Sequence, residues 1–159
     1  MSVVVRPALA SDLAAVEQVR LDTWRVAYRG MIPDDILDGL TVTEERVAWL
    51  EQRFAGGDVE TLVATDSDTV IGMASVGACR DDDLSGLTEL YALYVLPSHW
   101  DTGTGKALLM AAGDLQVLWV LEANARARAF YERHGFRPDG HSKVLDLGAG
   151  VPEVRYVLR

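Results

Sequence analysis

The sequence predicts a single mixed α/β domain, and three observations support this fold class. The chain has 159 residues, a length that is usual for one domain. Hydrophobic residues make up 49% and charged residues 25% of the chain, which is typical of globular proteins. Short apolar runs of strand type alternate with segments of helical spacing. No internal repeat, linker or low-complexity segment divides the chain, so one domain over residues 1–159 is expected.

The first half predicts one strand, two helices and a hairpin. The run Val3-Val4-Val5 is a short strand, and Ser11 or Asp12 caps a helix that Gly30 and Pro33 end. The second helix and the hairpin follow in order: a helix start near Thr41 or Thr43, a helix end at Gly56-Gly57, and strands over residues 61–65 and 70–78.

The second half predicts four strands and two helices. Pro97 ends the first of these strands, and Gly135 closes the last helix. In chain order the elements are a strand over 89–95, a helix over 103–112, a strand over 117–121, a helix over 125–134, and strands over 142–147 and 153–158.

Composition excludes several classes of protein. No run approaches the ~18 apolar residues of a membrane span, and the N-terminus lacks the pattern of a secretory signal. We therefore expect a cytoplasmic protein without membrane contact. Cys79 is the single cysteine, so no internal disulfide and no cysteine zinc site is expected. A net charge of −9 argues against nucleic acid as a partner, because a reader of the phosphate backbone needs a basic face.

The charge is distributed unevenly along the chain. Residues 1–90 carry 17 acidic and 7 basic residues, whereas residues 91–159 carry 7 acidic and 8 basic residues. A cleft lined by one sign of charge concentrates ligands of the opposite sign. The first half would therefore suit a cationic ligand, and the second would tolerate an anionic one. The run Asp81-Asp82-Asp83 is expected to be a solvated loop.

The most specific segment is a strand, a glycine-containing turn and a helix over residues 95–107. Unpaired amides at a helix start favour phosphate, and glycines let the backbone approach a ligand. A mononucleotide P-loop does not fit, because Trp100 stands where its first glycine belongs and Ala107 where its Ser or Thr belongs. A dinucleotide fold does not fit either, because Leu108 replaces its third glycine. A plain strand-to-helix turn remains an alternative.

Two separated motifs resemble the GNAT superfamily of acyl-CoA-dependent N-acetyltransferases. The family's Gln/Arg-x-x-Gly-x-Gly/Ala signature follows a Leu-x-Val strand end and here reads Trp100-Asp101-Thr102-Gly103-Thr104-Gly105. The second motif is Asn124 followed seven residues later by Tyr131. Two departures stand out: Trp100 replaces the usual Gln or Arg, and Asp101 stands where glycine is common. The stretch over 106–117 is also shorter than usual.

The resemblance implies a central, mostly antiparallel sheet of six or seven strands with one splayed strand pair, flanked by about four helices. It implies that residues 1–90 form mainly the acceptor side, 91–136 the cofactor motifs and 137–159 the C-terminal strands. Acetyl-CoA would be the co-substrate. The cofactor-binding positions that the resemblance carries over are Leu93, Tyr94, Val95, Trp100, Asp101, Thr102, Gly103, Thr104, Gly105, Lys106, Asn124 and Tyr131.

The candidates for the base are carboxylates. Acetyl transfer needs a neutral amine, and a nearby carboxylate can remove the proton of the ammonium form. Glu89 matches a position that a catalytic Glu can occupy in the family, although an ion pair with Arg80 is the alternative. Glu122, just past a strand end, is a rival base, and water is a third. The amide near Val95 resembles the family's oxyanion donor.

Aromatic and amide side chains complete the candidate site. Tyr131 resembles the tyrosine that protonates the leaving thiolate, since a phenol of pKa ~10 can donate to a thiolate of pKa ~8.5; core packing is the alternative. Asn124 resembles the asparagine that contacts the pantetheine arm, a role compatible with capping a helix. Trp24 and Tyr28, with Glu89, would wall the acceptor pocket, or would be core residues.

The leading hypothesis is therefore an acetyl-CoA-dependent N-acetyltransferase acting through a ternary complex. The acceptor would be a primary amine of a small molecule or peptide, and a cation in solution. The alternative is a GNAT-like module that binds acyl-CoA without transferring the acyl group. The three histidines show no metal spacing, so no metal is implied, and a homodimer is left open.

Overall fold

The computed structural model describes residues 3–158 and contains one sheet of seven strands in the order β1-β2-β3-β4-β5-β7-β6. The strands are β1 Val3–Pro7, β2 Val59–Asp66, β3 Thr69–Ala78, β4 Thr88–Val95, β5 Val117–Leu121, β6 Phe136–Asp146 and β7 Gly150–Leu158. The helices are α1 Leu13–Ala27, α2 Asp34–Asp38, α3 Glu44–Gly56, α4 Thr104–Ala111 and α5 Ala125–Arg133. None of these helices, all within residues 3–158, is long and apolar enough to cross a membrane.

The sheet is antiparallel except at its centre, where β4 and β5 run parallel. Only two residue pairs join these strands, Glu89 with Val117 and Leu90 with Leu118. Beyond Leu90 the two strands diverge, while β4 stays paired with β3 as far as Val95. The mostly antiparallel sheet and its splayed strand pair are therefore as predicted.

The two faces of the sheet pack against different helices. Leu108 of α4 and Tyr131 of α5 belong to the cluster on one face, and Val16 and Val19 of α1 belong to the cluster on the other. Along the end of β4, Val95 joins the first cluster and Tyr94 contacts the second. The end of β4 therefore contributes side chains to both faces of the sheet.

Helix starts agree with the sequence for α3 and differ from it for α1. The Oγ1 of Thr43 accepts a hydrogen bond from the Arg46 amide at 3.1 Å, as a helix cap does. Asp12 does not cap α1, because the chain enters that helix through a 3-10 turn over Ala10–Asp12 with Asp12 already in helical conformation. Its carboxylate instead accepts from the amide of Leu9, at 2.7 Å, and from Arg6.

One helix more than the predicted four is present among residues 3–158. The additional helix is α2, a single short turn over Asp34–Asp38 that Pro33 precedes. Its two leading aspartates suit the positive end of a helix dipole. The predicted turn between the first two helices was therefore partly helical.

The hairpins follow the turn chemistry. Ser67 and Asp68 connect β2 and β3 with φ angles of 49° and 69°, the left-handed pair of a turn whose twist matches that of a hairpin. The predicted strand over 142–147 is the outer end of β6, which begins earlier, at Phe136. This long β6–β7 hairpin extends the sheet beyond β5.

The sequence predicted a solvated loop for the aspartates at 81–83, and this prediction is wrong. Asp83 accepts two hydrogen bonds from Arg155 of β7, at 2.7 and 2.8 Å. Asp81 accepts from Nε1 of Trp119 at 2.8 Å. Arg155 is only 2% exposed, and a buried guanidinium needs anionic partners. The loop is therefore tied to the sheet.

Candidate active site between β4 and β5

The gap between the diverging strands widens into a cleft of about 810 Å3. Its walls come from β4, β5, the β6–β7 hairpin, the C-terminal end of α1, the turn before α4, and α5. The cleft brings together nearly all of the predicted site residues. The exceptions are the rival base Glu122 and the pair Thr102 and Thr104, whose hydroxyls bond to each other at 2.9 Å.

The turn before α4 presents a row of free backbone donors. Within the described chain, none of the amides of residues 101–106 donates a hydrogen bond. Asp101 and Gly103 adopt positive φ angles of 60° and 84°. With this left-handed backbone the chain turns directly into the start of α4. Unpaired amides at a helix N-terminus attract phosphate. The turn has the geometry of an anion-binding loop.

An arginine that the sequence did not single out lies over this loop. The guanidinium of Arg126 stacks on the ring of Trp100 at 4.4 Å and donates to Asp101 Oδ1 at 3.2 Å. Asp101 is 84% exposed and Arg126 51%, so their ion pair is weak. Arg126 stands two residues after Asn124. The packing of the start of α5 against the loop is what places the positive charge of Arg126 beside Trp100.

The end of β4 turns an amide towards the cleft. Amides alternate in direction along a strand, and that of Leu96 bonds to the Ile71 carbonyl of β3 at 2.8 Å. The Val95 amide therefore points the other way, to the edge that β5 has left. The Val95 carbonyl on this edge accepts from Nε1 of Trp100 at 2.7 Å.

Three tyrosines and a tryptophan meet across the gap. Tyr131 is 8% exposed, and burial, with the neighbouring Tyr94, raises its pKa above the ordinary value. Burial likewise raises the pKa of Tyr28, which also interacts with Tyr94. Trp24 packs on Tyr28 with ring centroids 5.1 Å apart, and its Nε1 is buried without a hydrogen-bond partner in the described chain. These residues are both core and cleft lining.

Asn124 caps α5. Its Oδ1 accepts a hydrogen bond from the Ala127 amide at 3.2 Å, as one reading of the sequence proposed. The residue also lines the cleft, so its amide nitrogen stays available to a ligand. Lys106, in the first turn of α4, is exposed and also lines the cleft.

The structure separates the candidate carboxylates. Glu89 lines the cleft but is 1% exposed and paired with Arg80 at 2.6 Å, which is the alternative that the sequence offered. Glu122 does not line the cleft; it lies exposed beside a smaller depression near Arg128. A third carboxylate, that of Glu153 on β7, does line the cleft. Sequence reasoning missed it, because nothing local connects β7 to β4.

Fold and site together define a class of protein: an α/β domain with an anion-binding loop at one end of a cleft between parted parallel strands. The family model for the acetyltransferase (GNAT) domain matches residues 57–138, which include that loop, the parted strands and α5. The chain belongs to the GNAT acetyltransferase family. The family and the enzyme class predicted from the two motifs are thereby confirmed.

Known proteins resemble the chain over most of its length. An uncharacterized N-acetyltransferase of Bacillus subtilis, YuaI, is 32% identical over 131 residues, which cover 77% of this chain and 73% of YuaI. A spermidine N(1)-acetyltransferase of Thermoplasma acidophilum is 23% identical over 166 residues, which cover 92% of this chain and 97% of that protein. The crystal structure of PaiA N-acetyltransferase from Thermoplasma acidophilum in complex with coenzyme A matches with a TM-score of 0.74 at 23% identity. That match covers 97% of this chain and 98% of PaiA, and it confirms the fold.

Proposed function

We propose that the protein transfers the acetyl group of acetyl-CoA to a primary amine that is a cation in solution, on a small molecule or peptide. The observation that carries this proposal is the divergence of β4 and β5. It joins the anion-binding loop on the α4 and α5 side of the sheet to acidic side chains on the α1 side through one cleft. Residues 1–90 then form mainly the acceptor side and 91–136 the cofactor side.

The loop suits the pyrophosphate of the cofactor. The amides of residues 101–106 are free to bind phosphate oxygens, and Arg126 and Lys106 add positive charge at the same end of the cleft. Arg126 would supply beside Trp100 the positive charge that an Arg at position 100 would supply. Leu93, Tyr94, Val95 and Asn124 would hold the pantetheine arm. When bound, acetyl-CoA supplies the activated thioester.

Two groups of the chain would act on the reacting atoms. The Val95 amide, directed to the open edge of β4, would donate a hydrogen bond to the thioester oxygen as negative charge develops there. Tyr131 would donate its proton to the departing sulfur. Burial keeps its pKa high, so that the phenol stays protonated at neutral pH.

The acceptor would enter from the α1 side. There Trp24 and Tyr28 give apolar and aromatic surface, while Glu89 and Glu153 give negative charge. A cationic acceptor also agrees with the excess of acidic residues in the first 90 positions. The relative from Thermoplasma acidophilum that acts on spermidine supports an acceptor of this kind.

Thiol release from acetyl-CoA tests this function. The panel of acceptors would contain spermidine, a lysine peptide and a neutral aromatic amine. We expect release with the cationic amines and a KM for the acceptor that rises with salt, because salt screens the attraction. Acetyl-CoA binding without release for any amine would instead identify a binding module. A preferred neutral or anionic acceptor would contradict the charge argument.

A further inference from the structure

Glu153 of β7 lines the cleft. It pairs in register with Leu121 of β5 and with Lys143 of β6. Side chains alternate between the faces of a strand, and Val154 belongs to the cluster on the α4 and α5 face. Glu153 therefore points to the opposite face, from which the acceptor would enter.

The carboxylate of Glu153 is enclosed and accepts no hydrogen bond within the described chain. Its side chain is 13% exposed, and its one ion pair in the described chain is with Lys143, whose Nζ lies 3.8 Å from Oε1. That distance exceeds a hydrogen bond. Lys143 also makes a cation–π contact with Trp119, with Nζ 4.0 Å from the ring centroid. Glu153 is therefore held only by a long ion pair, whereas a hydrogen-bonded carboxylate would have its oxygens occupied.

Glu89, by contrast, accepts hydrogen bonds on both carboxylate oxygens. Its Oε1 accepts from the amide and Nε of Arg80, and its Oε2 accepts from Nη2 of Arg80. These are charge-assisted hydrogen bonds, which are shorter and stronger than neutral ones, and the Nη2–Oε2 distance is 2.6 Å. Both oxygens of Glu89 are therefore already occupied by Arg80, and Glu89 anchors β4.

The charged and titratable groups around Glu153 come from four elements. Lys143 lies on β6, Arg80 follows β3, Glu89 lies on β4, and Tyr28 follows α1. Burial is the largest influence and raises the pKa of Glu153, against the opposing effects of Lys143 and Arg80. A carboxylate whose pKa moves towards neutrality is better suited to act as a general base.

We propose that Glu153, and not Glu89, is the general base that deprotonates the acceptor amine. This inference rests on the proposed function and adds to it the residue that takes the proton.

The step balances as follows. Glu153 accepts one proton from the ammonium group, which frees the nitrogen lone pair to form the N–C bond with the acetyl carbon. The C–S bond breaks, its electron pair stays on sulfur, and Tyr131 gives its proton to that sulfur. The new amide nitrogen loses its second excess proton to solvent, Glu153 returns its own to solvent, and solvent reprotonates Tyr131.

The test compares Glu153→Gln with Glu89→Gln and with Glu60→Gln, a matched loss of charge at an exposed position of β2 outside the cleft. The readouts are kcat and KM for spermidine across pH, the Kd of acetyl-CoA and Tm. We expect Glu153→Gln to lower kcat at neutral pH about 10²–10³-fold, with recovery at high pH, where solution supplies the neutral amine. The Kd and Tm should stay near wild type, and Glu60→Gln should match wild type throughout.

Lys143→Gln gives an independent readout. The Lys143 ammonium lowers the pKa of Glu153, so its removal should raise that pKa and move the acidic limb of kcat/KM to higher pH. An unmoved limb, or a Glu153→Gln enzyme with wild-type kcat or with only a raised KM, would overturn the assignment. A wild-type enzyme that transfers to no amine would instead defeat the proposed function itself.

Discussion

Arg80 holds both carboxylate oxygens of Glu89. Nη2 lies 2.6 Å from Oε2, and the Arg80 backbone amide lies 3.0 Å from Oε1. Glu89 is 1% exposed, whereas 57% of the Arg80 side chain is exposed. The pair anchors the start of β4 at the last residues that still contact β5. The two strands diverge directly after this point.

Replacing Arg80 by Gln should destabilise the fold. The substitution leaves a buried carboxylate with a single backbone donor, a loss we expect to cost about 1–3 kcal/mol in the free energy of unfolding. Urea unfolding monitored by circular dichroism measures it. Arg53→Gln, on the exposed face of α3, is the control and should change stability little. Equal stability of both variants would mean that the Arg80–Glu89 pair has no anchoring role.

Tyr131→Phe should separate catalysis from binding. The change removes the proposed proton donor and keeps the ring that packs edge-on against Phe130. We expect turnover to fall about 10²–10⁴-fold while the Kd of acetyl-CoA stays close to wild type. Steady-state kinetics and calorimetry measure the two quantities. Unchanged turnover would return Tyr131 to a packing role.

Gly105→Glu should abolish cofactor binding. Acetyl-CoA at 100 times its Kd should stabilise the wild type by about 2.7 kcal/mol, whereas the variant would place a carboxylate beside the phosphates. Thermal unfolding with and without acetyl-CoA checks this. Gly105→Ala controls for the fold, since a Cβ there would lie an ordinary 3.5 Å from Phe130. A wild-type shift in Gly105→Glu would show that the pyrophosphate binds elsewhere.

Arg126→Gln should weaken acetyl-CoA binding about tenfold, which corresponds to one charge-assisted hydrogen bond of about 1.5 kcal/mol. Its Kd should also depend less on salt, because one phosphate contact is lost. The control is Arg53→Gln, where the arginine likewise stacks on a tryptophan, Trp49, at 4.8 Å, but on α3. Isothermal titration at two salt concentrations compares them. If both variants bind acetyl-CoA with the wild-type Kd, Arg126 makes no contact with the cofactor and only packs on Trp100.

Arg155→Met should cost about 3 kcal/mol at pH 7, the lower end for a broken buried ion pair, because the side chain of the partner Asp139 is only 10% exposed. The hydrogen bonds from Arg155 lower the pKa of Asp83, so the stability that they add is present above about pH 4 and is lost as pH falls further. The difference between wild type and variant in urea unfolding should shrink at acidic pH. A difference that is constant with pH would assign the loss to packing alone.

Local patterns in the sequence determined much of the protein. The Ser67–Asp68 hairpin, the Thr43 cap and the anion-binding turn at Gly103 are set by residues within a few positions of one another. Backbone preference and hydrogen bonding of nearby side chains act over the same short range. The two motifs that identify the family are local in the same sense, and so they could be read without a structure.

The tertiary structure alone decided which charged groups meet. Glu122 follows β5 directly and points away from the cleft, whereas Glu153 enters it because β7 pairs with β5 and places Glu153 opposite Leu121. Arg126 reaches Trp100 only because α5 packs against the turn before α4. Such neighbours are chosen by strand order and helix packing, which depend on burial of apolar faces from distant parts of the chain, and no short stretch of sequence contains that information.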